Sequence, residues 1–270
     1  MSMGIDITAG EAEPPRVVSR REGDVAVIEL CRPSVDAPTR RALLAAVREV
    51  AAAEAVRAVV LAGSGGAFCR GQDLKEHAAA LRGGAQEAFS CVEREYNPLV
   101  TALLAVEVPL VVAVEGACVG AGLGLALTGD VRVVAEGATF ATAFAGVGLA
   151  ADSGLSVSLA RAVGPSRAAG LFLLGDRFGA AEALAWGLAH RVVARGAALE
   201  ESLALARELA RGPTAAFREV KALLREAAEP DWPAALAREA AAQTRLGATG
   251  DHAGAVAAFL ARERPAFRGR

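Results

Sequence analysis

One carboxylate stands apart from the rest. Asp152 follows a run of small apolar residues in "GVGLAADSG" (146–154) and precedes a second apolar stretch, "LSVSLARAVG" (155–164). A lone carboxylate there can cap a helix starting near Ser153, or it can carry a proton between atoms of a substrate. Residue type alone leaves both readings open. Leu149, Ala150, Ala151 and Leu155 surround it in sequence, and such an apolar setting should raise its pKa toward that of a useful base.

Two glycine-containing turns could serve such a carboxylate. "GSGGAFCRGQDLKEH" (63–77) and "VEGACVGAGLGLALTGD" (114–130) each run from strand through turn into helix. Amides at such turns can hold an anion or a developing oxyanion, or the glycines can simply let backbones approach. Other chemistries fail on spacing. A dinucleotide fingerprint from Gly120 needs glycine at 125, where Leu125 stands. Neither a phosphate-binding G-K-[ST] loop nor a serine nucleophile elbow is present. His77, His190 and His252 are too scattered for a metal site, so no metal is expected.

The elements that must position these groups read as an alternation. Strands are expected at 25–30, 57–63, 109–116 and 131–135, with a short one at 190–193. Helical patterns lie between them: Leu43, Leu44, Val47 and Val50 share one face, and Phe89, Val92, Tyr96, Leu99, Val100 and Leu103 another. From Ser153 the chain reads as mainly helical. Strands apolar on both faces alternating with helices predict an α/β architecture with buried parallel strands. The expected division is a disordered 1–15, an α/β core over 16–195 and a helical region over 196–270. In that last region Val220, Leu223, Leu224 and Ala227 form a stripe suited to covering a neighbouring subunit.

Composition narrows the classes. The chain has 270 residues, 53% of them hydrophobic and 22% charged, enough for one large domain or a domain plus a small appendage. A net charge of −2 gives no basic footprint for nucleic acid or an anionic membrane. Val108–Leu127 is the most apolar segment, but Pro109, Glu115 and glycines 116, 120, 122 and 124 interrupt it. A buried strand and helix are expected there, not a membrane span. The charged N-terminus does not read as a secretory signal, and Cys31, Cys69, Cys91 and Cys118 read as core residues of a cytoplasmic protein.

"AFCRGQDLKEH" resembles the signature A-F-x-x-G-x-D-L/I of the crotonase (enoyl-CoA hydratase/isomerase) superfamily, and "VPLVVAVEGACVGAGLGLALTGDVRV" resembles its second signature. The likeness runs from about Val17 to the C-terminus. Within the superfamily, "FCRGQDL", "VEREYNPLV", "GAGLGLALTGD" and "GLAADSG" are most similar to ring-epoxyphenylacetyl-CoA isomerases and related enoyl-CoA isomerases.

This resemblance implies a spiral of parallel strands and helices with a C-terminal trimerisation region. It implies a homotrimer or dimer of trimers, an acyl-CoA substrate, and no cofactor beyond the coenzyme A that the substrate carries. The family's oxyanion hole falls on the backbone amides of Gln72 and Ala121. Arg70, Gly71, Asp73, Leu74, Gly120, Ala143 and Phe144 fall on substrate-binding positions. The two glutamates of typical hydratases fall on Gly124 and Phe144, so hydration by their usual mechanism is not expected. Asp152, in the isomerases' D-S-G context, becomes the general acid/base; the alternatives are a hydratase-like enzyme, a dehalogenase-like enzyme with Asp152 as nucleophile, or a non-catalytic acyl-CoA-binding protein. Asp73 and Asp130 are expected to cap or brace turns, Glu115 to bond backbone in its turn, and Glu93 and Glu95 to form a solvated or paired face. Tyr96 is expected in the core, and Arg32, Lys75 and Arg262 are candidates to meet coenzyme A phosphates.

Overall fold

The computed structural model describes residues 14–226 and 232–270. Residues 1–13, most of the segment expected to be disordered, lie outside these, as does Ala227 of the expected C-terminal stripe.

The main sheet contains β1 (Val17–Glu22), β2 (Val25–Leu30), β3 (Ala58–Gly63), β4 (Leu110–Val114), β6 (Val131–Ala135) and β9 (Arg191–Val193), in that spatial order. β1 pairs antiparallel with β2, and every later pairing in this sheet is parallel. The strands expected from sequence all appear, slightly trimmed. β1 was not anticipated: its polar alternation, "VVSRRE", suits a half-exposed edge and lacks the apolar density of the central strands.

Alternate residues of the parallel strands feed two cores. Val27, Val60, Val111 and Val133 point to one face, which α9 (Ala198–Ala210) covers with Ala198, Leu203, Leu205 and Ala206. Ile28, Leu61, Val112 and Val134 point to the other, where α1 (Ala37–Ala52) supplies Leu43, Val47 and Val50. Burial on both faces is why these strands are continuously apolar. A smaller sheet, β5 (Ala117–Val119), β7 (Thr139–Ala141) and β8 (Phe178–Gly179), stands apart from the first. Strands this short carry no readable period, so the sequence did not reveal them.

Between β3 and β4 lie α2 (Leu74–Leu81), α3 (Ala85–Cys91) and α4 (Asn97–Ala105). A π-helical turn, Val92–Tyr96, joins α3 to α4, where sequence periodicity suggested one regular helix. α5 (Ala121–Ala126) follows β5, and α6 (Leu155–Val163), α7 (Pro165–Leu174) and α8 (Ala180–Ala185) precede β9. The chain ends in α10 (Thr214–Glu226), α11 (Trp232–Gly247) and α12 (Gly250–Ala261). The last residues fold back: the buried Asp251 accepts from the amides of Arg268 and Gly269, both at 2.7 Å. Among the described residues no helix is long and apolar enough to cross a membrane, and none of the His, Cys, Asp and Glu side chains cluster as a metal site. All four cysteines are free thiols, with Cys69 and Cys118 fully buried.

Candidate active site

The two glycine turns are laced together by backbone. The Cys69 amide donates to the Ala117 carbonyl at 3.0 Å, and the Val119 amide to the Cys69 carbonyl at 2.9 Å. Gly71 is held at φ +85°, and a side chain there would meet the Val119 carbonyl at 3.0 Å and the Ala121 nitrogen at 3.4 Å. The glycine is what lets the first turn lie directly on the second.

This contact decides which amides stay free. Val35 forms a parallel bridge with Gln72: its amide donates to the Gly71 carbonyl at 2.8 Å, and its carbonyl accepts from the Asp73 amide at 3.1 Å. That pattern uses the groups flanking Gln72 and turns Gln72's own N–H the other way. Gly120, at φ +58°, donates to the Ala141 carbonyl at 3.0 Å, and Ala121 opens α5, where a first-turn amide has no helical partner. Among the described residues, no backbone carbonyl accepts from the Gln72 or Ala121 amide.

Asp152 approaches the same helix. It is half-buried, and its Oδ1 accepts from the Ser153 hydroxyl at 2.9 Å. Burial raises its pKa above the usual carboxylate range, with the Ser153 hydrogen bond opposing part of that rise. It does not cap a helix through its side chain. α6 starts at Leu155, not near Ser153; Gly154 holds the cap position without a side-chain bond, and only the Asp152 carbonyl meets the Leu155 amide.

Ser153 sits at φ +53°, a left-handed conformation that costs a non-glycine residue about 1–2 kcal/mol. The turn it makes rests on Gly124 of α5, where a Cβ would lie 2.8 Å from the Ser153 Cβ and 2.9 Å from its carbonyl oxygen. Ala121 begins the helix against which the Asp152 turn packs, so the free amide and the carboxylate share one support.

The remaining candidates divide clearly. Asp73 caps α2, accepting from the Lys75 and Glu76 amides at 2.9 and 3.0 Å. Asp130 braces β4, accepting from the Leu110 amide at 2.7 Å and from Lys221. Glu115 bonds backbone, but that of Gly196 in a distant turn rather than its own. Phe144 is half-buried against the main core, and its carbonyl accepts from the amides of Val147 and Leu149. Ala143, at φ +63°, is exposed, as are Arg70 and Leu74. Lys75 is exposed at the start of α2, and Arg262 closes the distant α12. Glu93 is exposed, whereas Glu95 is paired.

Two features escaped sequence reasoning. Arg40 is buried on α1 and reaches Glu76 at 2.6 Å and Glu95 at 2.5 Å, tying α1 to α2 and to the π-helical turn. Its guanidinium also lies 5.1 Å from the centre of the Tyr96 ring. These partners are 36 and 55 residues away in sequence, so no local pattern points to them. Tyr96 itself is fully buried in the core. Beside this knot lies a cleft of about 290 Å³ lined by Gln72, Glu76, Ala88, Cys91 and Glu95. The Gln72 amide side chain faces Cys91 Sγ across it at 3.6 Å. Ser153 was visible as Asp152's neighbour, but its left-handed turn was not.

A spiral of parallel strands with a helical C-terminus and two interlocked glycine turns defines a crotonase-fold acyl-CoA enzyme. The sequence model of the enoyl-CoA hydratase/isomerase family matches residues 20–270, and the chain belongs to that family. It is 41% identical over 250 residues to a Rhodobacter capsulatus protein called "Probable enoyl-CoA hydratase", covering 91% of this chain and 95% of that one. To the 1,2-epoxyphenylacetyl-CoA isomerase of Escherichia coli it is 34% identical over 258 residues, covering 94% and 98%. A solved enoyl-CoA hydratase/isomerase-family structure from Mycobacterium abscessus superposes with a TM-score of 0.92 at 50% identity, covering 94% of this chain and all of that one.

Proposed function

We propose that the protein is an acyl-CoA isomerase that works through a thioester enolate. The Asp152 carboxylate removes a proton from a carbon of the acyl group. The electrons move onto the thioester oxygen, and the amides of Gln72 and Ala121 stabilise the charge that develops there. The protonated Asp152 then returns the proton to a different carbon and is a carboxylate again. Double-bond migration and opening of a ring epoxide both fit this cycle, since each proceeds through one enolate and one shuttling acid/base.

The observation that carries the reading is the half-buried Asp152 carboxylate, whose pKa is raised by burial, on a turn that packs against the helix begun by the free Ala121 amide. A hydratase reading has the names of several relatives behind it. It requires a second carboxylate, and Gly124 and Phe144 occupy the positions that carry one in typical hydratases. Coenzyme A belongs to the substrate in this scheme, and no other cofactor takes part. The exposed Leu224, Trp232, Phe259 and Leu260 of α10–α12 supply the apolar surface for a homotrimer or dimer of trimers, and the location proposed is cytoplasmic.

The test is exchange of acyl protons with deuterated water across a panel of acyl-CoAs, alongside hydration of crotonyl-CoA. Exchange or isomerisation without hydration is expected. Crotonyl-CoA hydration at roughly 10 per second or faster would overturn the assignment.

A further inference from the structure

The turn that presents Asp152 is more constrained than a proton carrier needs for support alone. Ser153 is 2% exposed, holds a left-handed conformation that glycine adopts more readily, and still carries a side chain. That side chain gives its hydroxyl to Asp152 Oδ1 at 2.9 Å. The turn fits because residue 124 has no Cβ, which would lie 2.8 Å from that of Ser153. A left-handed serine is kept where glycine would be less strained, and the hydroxyl is what serine adds.

We propose that Ser153 is a positioning residue for the acid/base step: seated on the bare face of α5 at Gly124, it aims the Asp152 carboxylate and donates the hydrogen bond that keeps it ionised. This inference rests on the reading of Asp152 as the acid/base. An ionised carboxylate accepts the hydroxyl hydrogen more strongly than a neutral acid does, so the bond opposes the effect of burial. The carboxylate is thereby left a base over a wider range of pH.

The groups around Asp152 leave this role to Ser153. α5 is "AGLGLA" and the loop over residues 143–151 carries no charge. From the helix of α3 and the π-helical turn, Cys91 and Tyr96 are the titratable groups that sense Asp152. Both have pKa values raised mainly by burial, so both stay neutral where a carboxylate works. Arg40, Glu76 and Glu95 lie beyond Cys91 and pair with one another.

Ser153→Ala tests the proposal, with Ser153→Gly as a second variant that also lacks the hydroxyl but suits the left-handed backbone. Proton exchange in the parent should rise with pH as Asp152 ionises. Both variants should move that rise to higher pH, so that exchange measured on the acidic limb falls roughly tenfold, the scale of a hydrogen bond to a charged group. A second readout needs no turnover. The infrared carboxyl band that disappears in Asp152→Asn should titrate at higher pH in both variants than in the parent.

If the limb and the band stay where they are in both folded variants, the positioning role is overturned, whatever happens to the plateau rate. If the band moves but the parent exchanges no proton from any acyl-CoA, the hydrogen bond to Asp152 stands while the isomerase reading, and the positioning role with it, is overturned.

Discussion

Replacing Gly124 by alanine adds one methyl group to α5, and the structure says where it goes. The new Cβ would sit 2.8 Å from the Ser153 Cβ and 2.9 Å from the Ser153 carbonyl oxygen, about 0.6 Å short of ordinary contact. Neither atom is the end of a flexible side chain. The Asp152–Ser153 turn must therefore move by that amount, or α5 must move away from it and take the Ala121 amide along. Misplacement of catalytic groups by about 1 Å can lower a rate by about 10²-fold, so a shift of this size should slow proton exchange roughly 10- to 100-fold. The stability change should be small. Overpacking a filled site loses typically 1–3 kcal/mol, and alanine regains about 1 kcal/mol over glycine within a helix. The assay is α-proton exchange into deuterated water beside a thermal melt of the same sample. Parental exchange with a parental melt would refute the reasoning, because it would mean that the contact between α5 and the Asp152 turn does not matter. Gly124→Glu, which restores one hydratase-type carboxylate, meets the same obstruction at its Cβ and should not produce crotonyl-CoA hydration.

Substitutions at two further positions address the carboxylate and the amide. Asp152→Asn should slow isomerisation by roughly 10²–10⁴ while acyl-CoA still binds. Because burial raises the Asp152 pKa on folding, its stabilising contribution is complete below the unfolded value and is lost as pH rises through the folded one. The asparagine variant should therefore melt above the parent at neutral pH, with the gap closing in acid; a variant that is less stable at neutral pH would contradict the burial argument. Ala121→Pro removes an amide at the first position of α5, where proline is tolerated in helices, and should lower turnover by about 10²–10³. Ala121→Ser keeps the donor and should cost far less. A well-folded proline variant with parental exchange would take this amide out of the mechanism.

Much of this protein was legible in its sequence for local reasons. The central strands could be read because burial on both faces forces unbroken apolar runs such as "VVLA" and "LVVAV", and no contact elsewhere is needed to see that. Asp73 was readable as a cap because a cap and its helix are neighbours in the chain. The two glycine turns and the isolation of Asp152 were readable for the same reason. The division into residues 16–195 and 196–270 corresponds to no single local signal.

Only the tertiary structure decided what those pieces do together. The Gln72 amide is free because Val35, far back in the chain, takes the backbone groups on either side of it. Arg40 is a buried knot because Glu76 and Glu95 converge on it from two other helices. Asp152 is a presented carboxylate and not a helix cap, because Ser153 turns left-handed against a helix that offers no Cβ at Gly124. Sequence patterns report a residue's own backbone preference and the face it shows, whereas orientation comes from contacts between segments that meet only once the chain is folded.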